Sequence, residues 1–129
     1  MKKFITLILI ALGFGVQTGN AQGLKFKSIS PDQFEGILGD GNIYLLDVRT
    51  AEEYAEGHLK GAHNLDVKKD DFEEKAVATL PKDKTLAVYC RSGARSTLAA
   101  GILVKNGFTV IEMAKGINGW KAAGKPTEQ

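Results

Sequence analysis

Three short stretches of this chain are apolar nearly end to end: residues 43–48 (Ile43-Tyr44-Leu45-Leu46-Asp47-Val48), 85–89 (Thr85-Leu86-Ala87-Val88-Tyr89) and 108–113. Strands without polar alternation are buried on both faces, which in a small domain means a sheet covered on each side. Helix signals fall between them. Ser30-Pro31-Asp32-Gln33 carries a capping serine, a proline suited to the first turn and a glutamine that closes a capping box; that helix is expected to end near Leu38-Gly39. Thr50-Ala51-Glu52-Glu53 is a second capping box, opening a short helix stopped at Gly57. Residues 62–65 read as a brief extended segment, and residues 71–80 as an amphipathic helix ended by Pro81. Residues 96–106 form a helix apolar on most sides, expected to pack on a sheet, with Gly107 as its stop. Residues 117–123 form a last short helix holding Trp120. Strands alternating with helices predict an α/β fold with a mainly parallel central sheet.

The N-terminus obeys a different pattern. Met1-Lys2-Lys3 is a short basic head, residues 4–16 are apolar apart from Thr6 and two glycines, and Gly19-Asn20-Ala21 places small residues at the usual cleavage positions. Residues 1–21 are therefore expected to be a secretory signal peptide cut after Ala21, leaving residues 22–129 as one periplasmic or secreted domain. The alternative is a retained membrane anchor, but residues 4–16 fall short of the roughly 20 apolar residues a spanning helix needs. No cysteine lies near the cut to take a lipid, and no stable membrane insertion is expected after cleavage. The chain has 17 Lys+Arg and 15 Asp+Glu; without Lys2 and Lys3 the balance is 15 against 15. A neutral mature domain gives no reason to invoke nucleic acid.

Cys90 is the only cysteine, so an exported domain this small has no internal disulfide. A free cysteine often serves as a small buried hydrophobe. Here it opens Cys90-Arg91-Ser92-Gly93-Ala94-Arg95-Ser96, between a strand and a helix. A strand-to-helix turn puts the thiol at a helix N-terminus, where unpaired N–H groups favour an anion, and Arg91 and Arg95 push it the same way. The loop reads as a sulfur nucleophile in a cradle for an anionic substrate. In parallel α/β sheets the ligand site lies outside the carboxyl ends of the strands. Those ends carry Arg49, Cys90 and Lys115, which are expected to share one rim.

Taken together, Leu46-Asp47-Val48-Arg49, Glu53-Tyr54, Gly57-His58, Gly61-Ala62-His63-Asn64, the loop from Cys90 to Ser96, and Gly116 to Trp120 followed by Ala123-Gly124-Lys125-Pro126 resemble the rhodanese family of single-domain sulfurtransferases. The resemblance implies a three-layer sandwich, a mainly parallel sheet flanked by helices. It implies that the Cys90 thiolate takes the outer sulfur of thiosulfate or a similar small anionic donor, sulfite leaves, and the resulting persulfide passes sulfur to cyanide, a thiol or a thiol protein. Arg91, Ser92, Gly93, Ala94, Arg95 and Ser96 would then surround the substrate, with Arg91 and Arg95 recruiting its oxyanion end. No metal or organic cofactor is implied. One departure is visible: members often carry Gly-Gly before the tryptophan helix, where this chain has Lys115-Gly116.

Two other functions compete. A cysteine-dependent phosphatase, including relatives that share this fold, needs an arginine six positions after the cysteine; that position is Ser96, Arg95 falls one short, and Tyr89 stands where a histidine usually precedes the cysteine. A non-catalytic module holding an anion or a protein on the same loop is the second, and the intact thiol argues against it. Arg49 either contacts substrate or pairs with Asp47, Glu52 or Glu53. Asp47 and His58 read as structural supports, and His58 with His63 lacks the ligand spacing of a metal site. Trp120 either packs in the core or lines the rim.

Overall fold

A computed structural model of the chain describes residues 17–21 and 24–129. The three apolar runs become β3 (Ile43–Asp47), β5 (Thr85–Tyr89) and β6 (Thr109–Met113). They join β2 (Leu24–Ile29), the two-residue β4 (His63–Asn64) and β1 (Gln17–Ala21) in one sheet of order β1-β2-β6-β5-β3-β4. Every pairing from β2 to β4 is parallel; β1 adds to the β2 edge antiparallel.

Side chains alternate across the sheet and build two cores. Leu86, Val88 and Cys90 of the β5 segment join Leu46, Val48, Val110 and Phe26 on one face, under α3 (Phe72–Thr79) and α4 (Ala94–Lys105). Ala87 and Tyr89 join Leu45, Met113, Phe34 and Trp120 on the other, against α1 (Pro31–Ile37) and α5 (Gly116–Ala122), with Tyr54 of α2 (Ala51–Glu56) packed at its margin. The result is a three-layer α/β sandwich.

Both capping boxes form: Ser30 with Gln33 and Thr50 with Glu53 exchange reciprocal bonds, each worth about 1 kcal/mol. α4 begins two residues before the expected Ser96, because Gly93 at φ 120° completes the turn and acts as N-cap. Neither β1 nor β2 is anticipated by the sequence reading. β2 has no continuous apolar run: Phe26 and Ile29 are buried while Lys25 is exposed, the mixed pattern of a strand near an edge. The expected export segment lies outside the described residues up to position 16, and its last five residues form β1. A cut after Ala21 would remove β1 and leave β2 at the edge.

Candidate active site

The parallel register ends β3, β5 and β6 at one side of the sheet and brings the backbones of Arg49, Cys90 and Lys115 there. Cys90 follows β5 directly and is 1% exposed. Its Sγ accepts the backbone N–H of Gly93 at 3.1 Å and lies 3.4 Å from the Ser96 hydroxyl. Gly93 is needed for its φ of 120°, which turns that amide back toward the sulfur. Arg91, Ser92 and Ala94 are exposed around it.

The loop is held from behind by α5. The amides of Ile117 and Asn118 donate to the carbonyls of Cys90 and Arg91 at 2.9 and 3.0 Å, so first-turn donors of one helix bind the backbone of the other's loop. Lys115, in the left-handed region at φ 67°, precedes this contact with its side chain exposed.

Beneath the loop, Ser96 and Ser28 donate to the two oxygens of Glu112, at 2.5 and 2.7 Å. Burial pushes the Glu112 carboxyl above its ordinary range, the two hydroxyls opposing it. Sequence reasoning misses this residue; the available signal is a single acid between Ile111 and Met113 in an otherwise apolar strand.

Arg95 lays its guanidinium on Glu53 of α2 as a fork, at 2.7 and 3.0 Å. The bond from Arg95 holds the Glu53 carboxyl down to about 2, and Glu53 in turn raises Arg95, which also feels the charge of Cys90. The sequence names both residues but not their pairing, because they stand 42 positions apart.

Of the two alternatives for Arg49, the structure shows the pairing with Asp47: its side chain is buried, with Nε and Nη2 on Asp47 and Nη2 also on the Gly57 carbonyl at 2.7 Å. Its guanidinium lies 5.8 Å from the Tyr89 ring centroid. Asp47 is fully buried and also accepts the Arg49 amide. Removing either partner of such a pair strands a buried charge at about 3–5 kcal/mol, so the pair fixes the end of β3 rather than meeting solvent. His58 stacks on Tyr54 and places Nδ1 2.9 Å from the Tyr54 carbonyl. His63 stacks on Tyr44, and Trp120 is buried with its indole N–H on the Pro126 carbonyl. Among the described residues no group of three or more His, Cys, Asp or Glu side chains converges to hold a metal.

Residues 30–123 match the family described as "Rhodanese-like domain". The chain belongs to that family. Among rhodanese-like relatives, it is 38% identical over 104 residues to YtwF of Bacillus subtilis, a protein named provisionally as a sulfurtransferase, covering 80% of this chain and 98% of the relative. It is 34% identical over 112 residues to thiosulfate sulfurtransferase 16, chloroplastic, of Arabidopsis thaliana, covering 79% and 92%. The crystal structure of a rhodanese-related protein from Thermoplasma volcanium superposes with a TM-score of 0.71 at 28% identity, covering 78% of this chain and 96% of that one. The rhodanese-like match spans the strand end at Asp47, the cysteine loop and the α5 contact, the parts that position Cys90.

Proposed function

We propose that this rhodanese-like chain is an exported sulfurtransferase that carries sulfane sulfur as a persulfide on Cys90, from thiosulfate or a similar small anion to cyanide, a thiol or a thiol protein. The observation that carries the reading is the seat of the sulfur: Sγ at a strand end accepting the inward amide of Gly93 at the start of α4. Such a seat stabilises a thiolate and its persulfide alike, since both are anions. Covalent transfer divides one difficult exchange into two: the thiolate attacks the donor's outer sulfur and forms an S–S bond as sulfite departs with its electron pair, then a nucleophile takes the outer sulfur and frees the thiolate. Arg91, exposed beside the thiol, recruits the donor's oxyanion end, and Arg95 adds positive potential from its place on Glu53. Names among the relatives support sulfur transfer, and one supports thiosulfate as donor. Phosphate hydrolysis fits less well, because the only arginine near the end of the loop is already forked onto a carboxylate.

The basic head and apolar run of the N-terminus support export with cleavage after Ala21. One measurement reads both claims. The intact mass of protein recovered from cells and treated with thiosulfate should correspond to a chain starting at Gln22, plus one sulfur that cyanide removes. Cys90→Ser should fold and carry none. A native chain that never gains sulfur supports a binding module instead, and full transfer by Cys90→Ser rules out the assigned carrier.

A further inference from the structure

Glu112 is a buried carboxylate that no cation among the described residues balances. It is 3% exposed, and no ion pair among the described residues reaches it. An unpaired acid in a core costs several kcal/mol by order of magnitude and concentrates where function needs it. The sheet explains its position. Glu112 sits in register with Ser28 of β2 and Val88 of β5, and Cys90 follows two residues after Val88 on the same face. Facing it are Ser28 from β2, Ser96 from α4 and the Gly93 turn, where a Cβ would lie 4.0 Å from Oε2; neither hydroxyl carries charge. Facing Cys90 are Ser96 and the Gly93 amide, and Arg95, forked onto Glu53, acts on it through space.

Ser96 links the two. Its hydroxyl lies 3.4 Å from Cys90 Sγ, 2.5 Å from Glu112 Oε2 and 3.1 Å from the Gly93 carbonyl, yet it has one proton to give. We propose that Glu112 is a positioning residue of the sulfur site, sharing one proton with Cys90 through Ser96 and keeping that proton whenever the sulfur is an anion. The proposal rests on Cys90 being the sulfur carrier. In the transfer the S–H bond breaks and its electron pair stays on sulfur. The proton forms an O–H bond on Ser96, and the proton already on Ser96 forms one on Glu112; nothing is oxidised or reduced. Ser96 then donates to the sulfur and Glu112 to Ser96. The trio holds a single negative charge in either form, so a thiolate or persulfide never sits beside a second buried anion. Burial, which favours a neutral carboxyl, acts in the same direction.

The test is a pH titration of thiolate ultraviolet absorbance in the whole chain, where Cys90 is the only thiol and Cys90→Ser supplies the blank. Native protein should keep a level stretch of thiolate signal below its main rise, because there the proton moves within the pair. In Glu112→Gln that stretch should vanish, the signal falling about tenfold per pH unit below one midpoint, and in Ser96→Ala, which removes the bonds joining the pair, its height should change. Ser28→Ala, which leaves the relay whole, should retain it. A Glu112→Gln curve superimposed on the native one overturns the proposal. If that variant does not fold, the carboxyl-carbon NMR signal of Glu112 is followed in native protein and Cys90→Ser: its midpoint should move, and an unmoved midpoint also overturns the proposal. Thiosulfate loading read by mass on the same samples separates the two claims. Sulfur loading with superimposed titrations defeats the relay alone. A coupled titration without loading supports the relay and defeats the sulfurtransferase reading.

Discussion

Gly116 has no side chain, and that absence is what the site requires. A Cβ there would stand 2.5 Å from the carbonyl carbon and oxygen of Arg91 and from the Cys90 oxygen, all backbone atoms that cannot swing aside, and its φ is 58°. Gly116→Ala is therefore expected to cost about 3 kcal/mol or more, adding backbone strain to overpacking. A lower melting temperature together with slower persulfide formation would show it; a variant matching the native protein in both would contradict the account. Next to it, Lys115 occupies a left-handed conformation that costs a side-chain-bearing residue about 1–2 kcal/mol. At this scale the sequence was readable where chemistry is local. The turn at Gly93 and the capping boxes depend on neighbours a few positions away. Glu112 was not readable, because its partners Ser28 and Ser96 are supplied by other elements.

Between elements, the Arg95–Glu53 fork is the side-chain tie from α2 to α4, and it makes a pH prediction. Folding holds the Glu53 carboxyl at about 2 against an ordinary 4.5, chiefly through its bond from Arg95. The unfolded chain takes up the proton first as pH falls. The stabilisation is thus complete above about 4.5 and is lost on going from there toward 2. Native protein should melt higher than Glu53→Gln at neutral pH, and the gap should close across that acid range; a gap independent of pH would refute the tie. Strands and helices were largely evident from apolar runs and caps, since those patterns are local. The fork was hidden, as was the way α5 amides hold the carbonyls of the cysteine loop, because each joins segments distant along the chain.

For the molecule as a whole, the parallel pairing of β4, β3, β5 and β6 was implied by alternating strands and helices, but β2 and the antiparallel β1 were not. The five residues of β1 pair along a single edge of the sheet, with β2. A chain starting at Gln22 is accordingly expected to fold, melting within about 4–8 °C of one starting at Gln17, a difference on the order of 1 kcal/mol. Failure of the shorter chain to fold would mean that β1 is integral to the domain. Lys25 and Lys27 on the strand then left at the margin are the kind of residue that discourages sheets from joining edge to edge. The enclosure of Cys90 has a last consequence, for contact between one thiol and another. A thiol with 1% of its residue surface open cannot meet its twin on another molecule while the loop stays shut. Spontaneous dimerisation through sulfur is thereby disfavoured, and any acceptor of sulfur has to reach the thiol at the strand end.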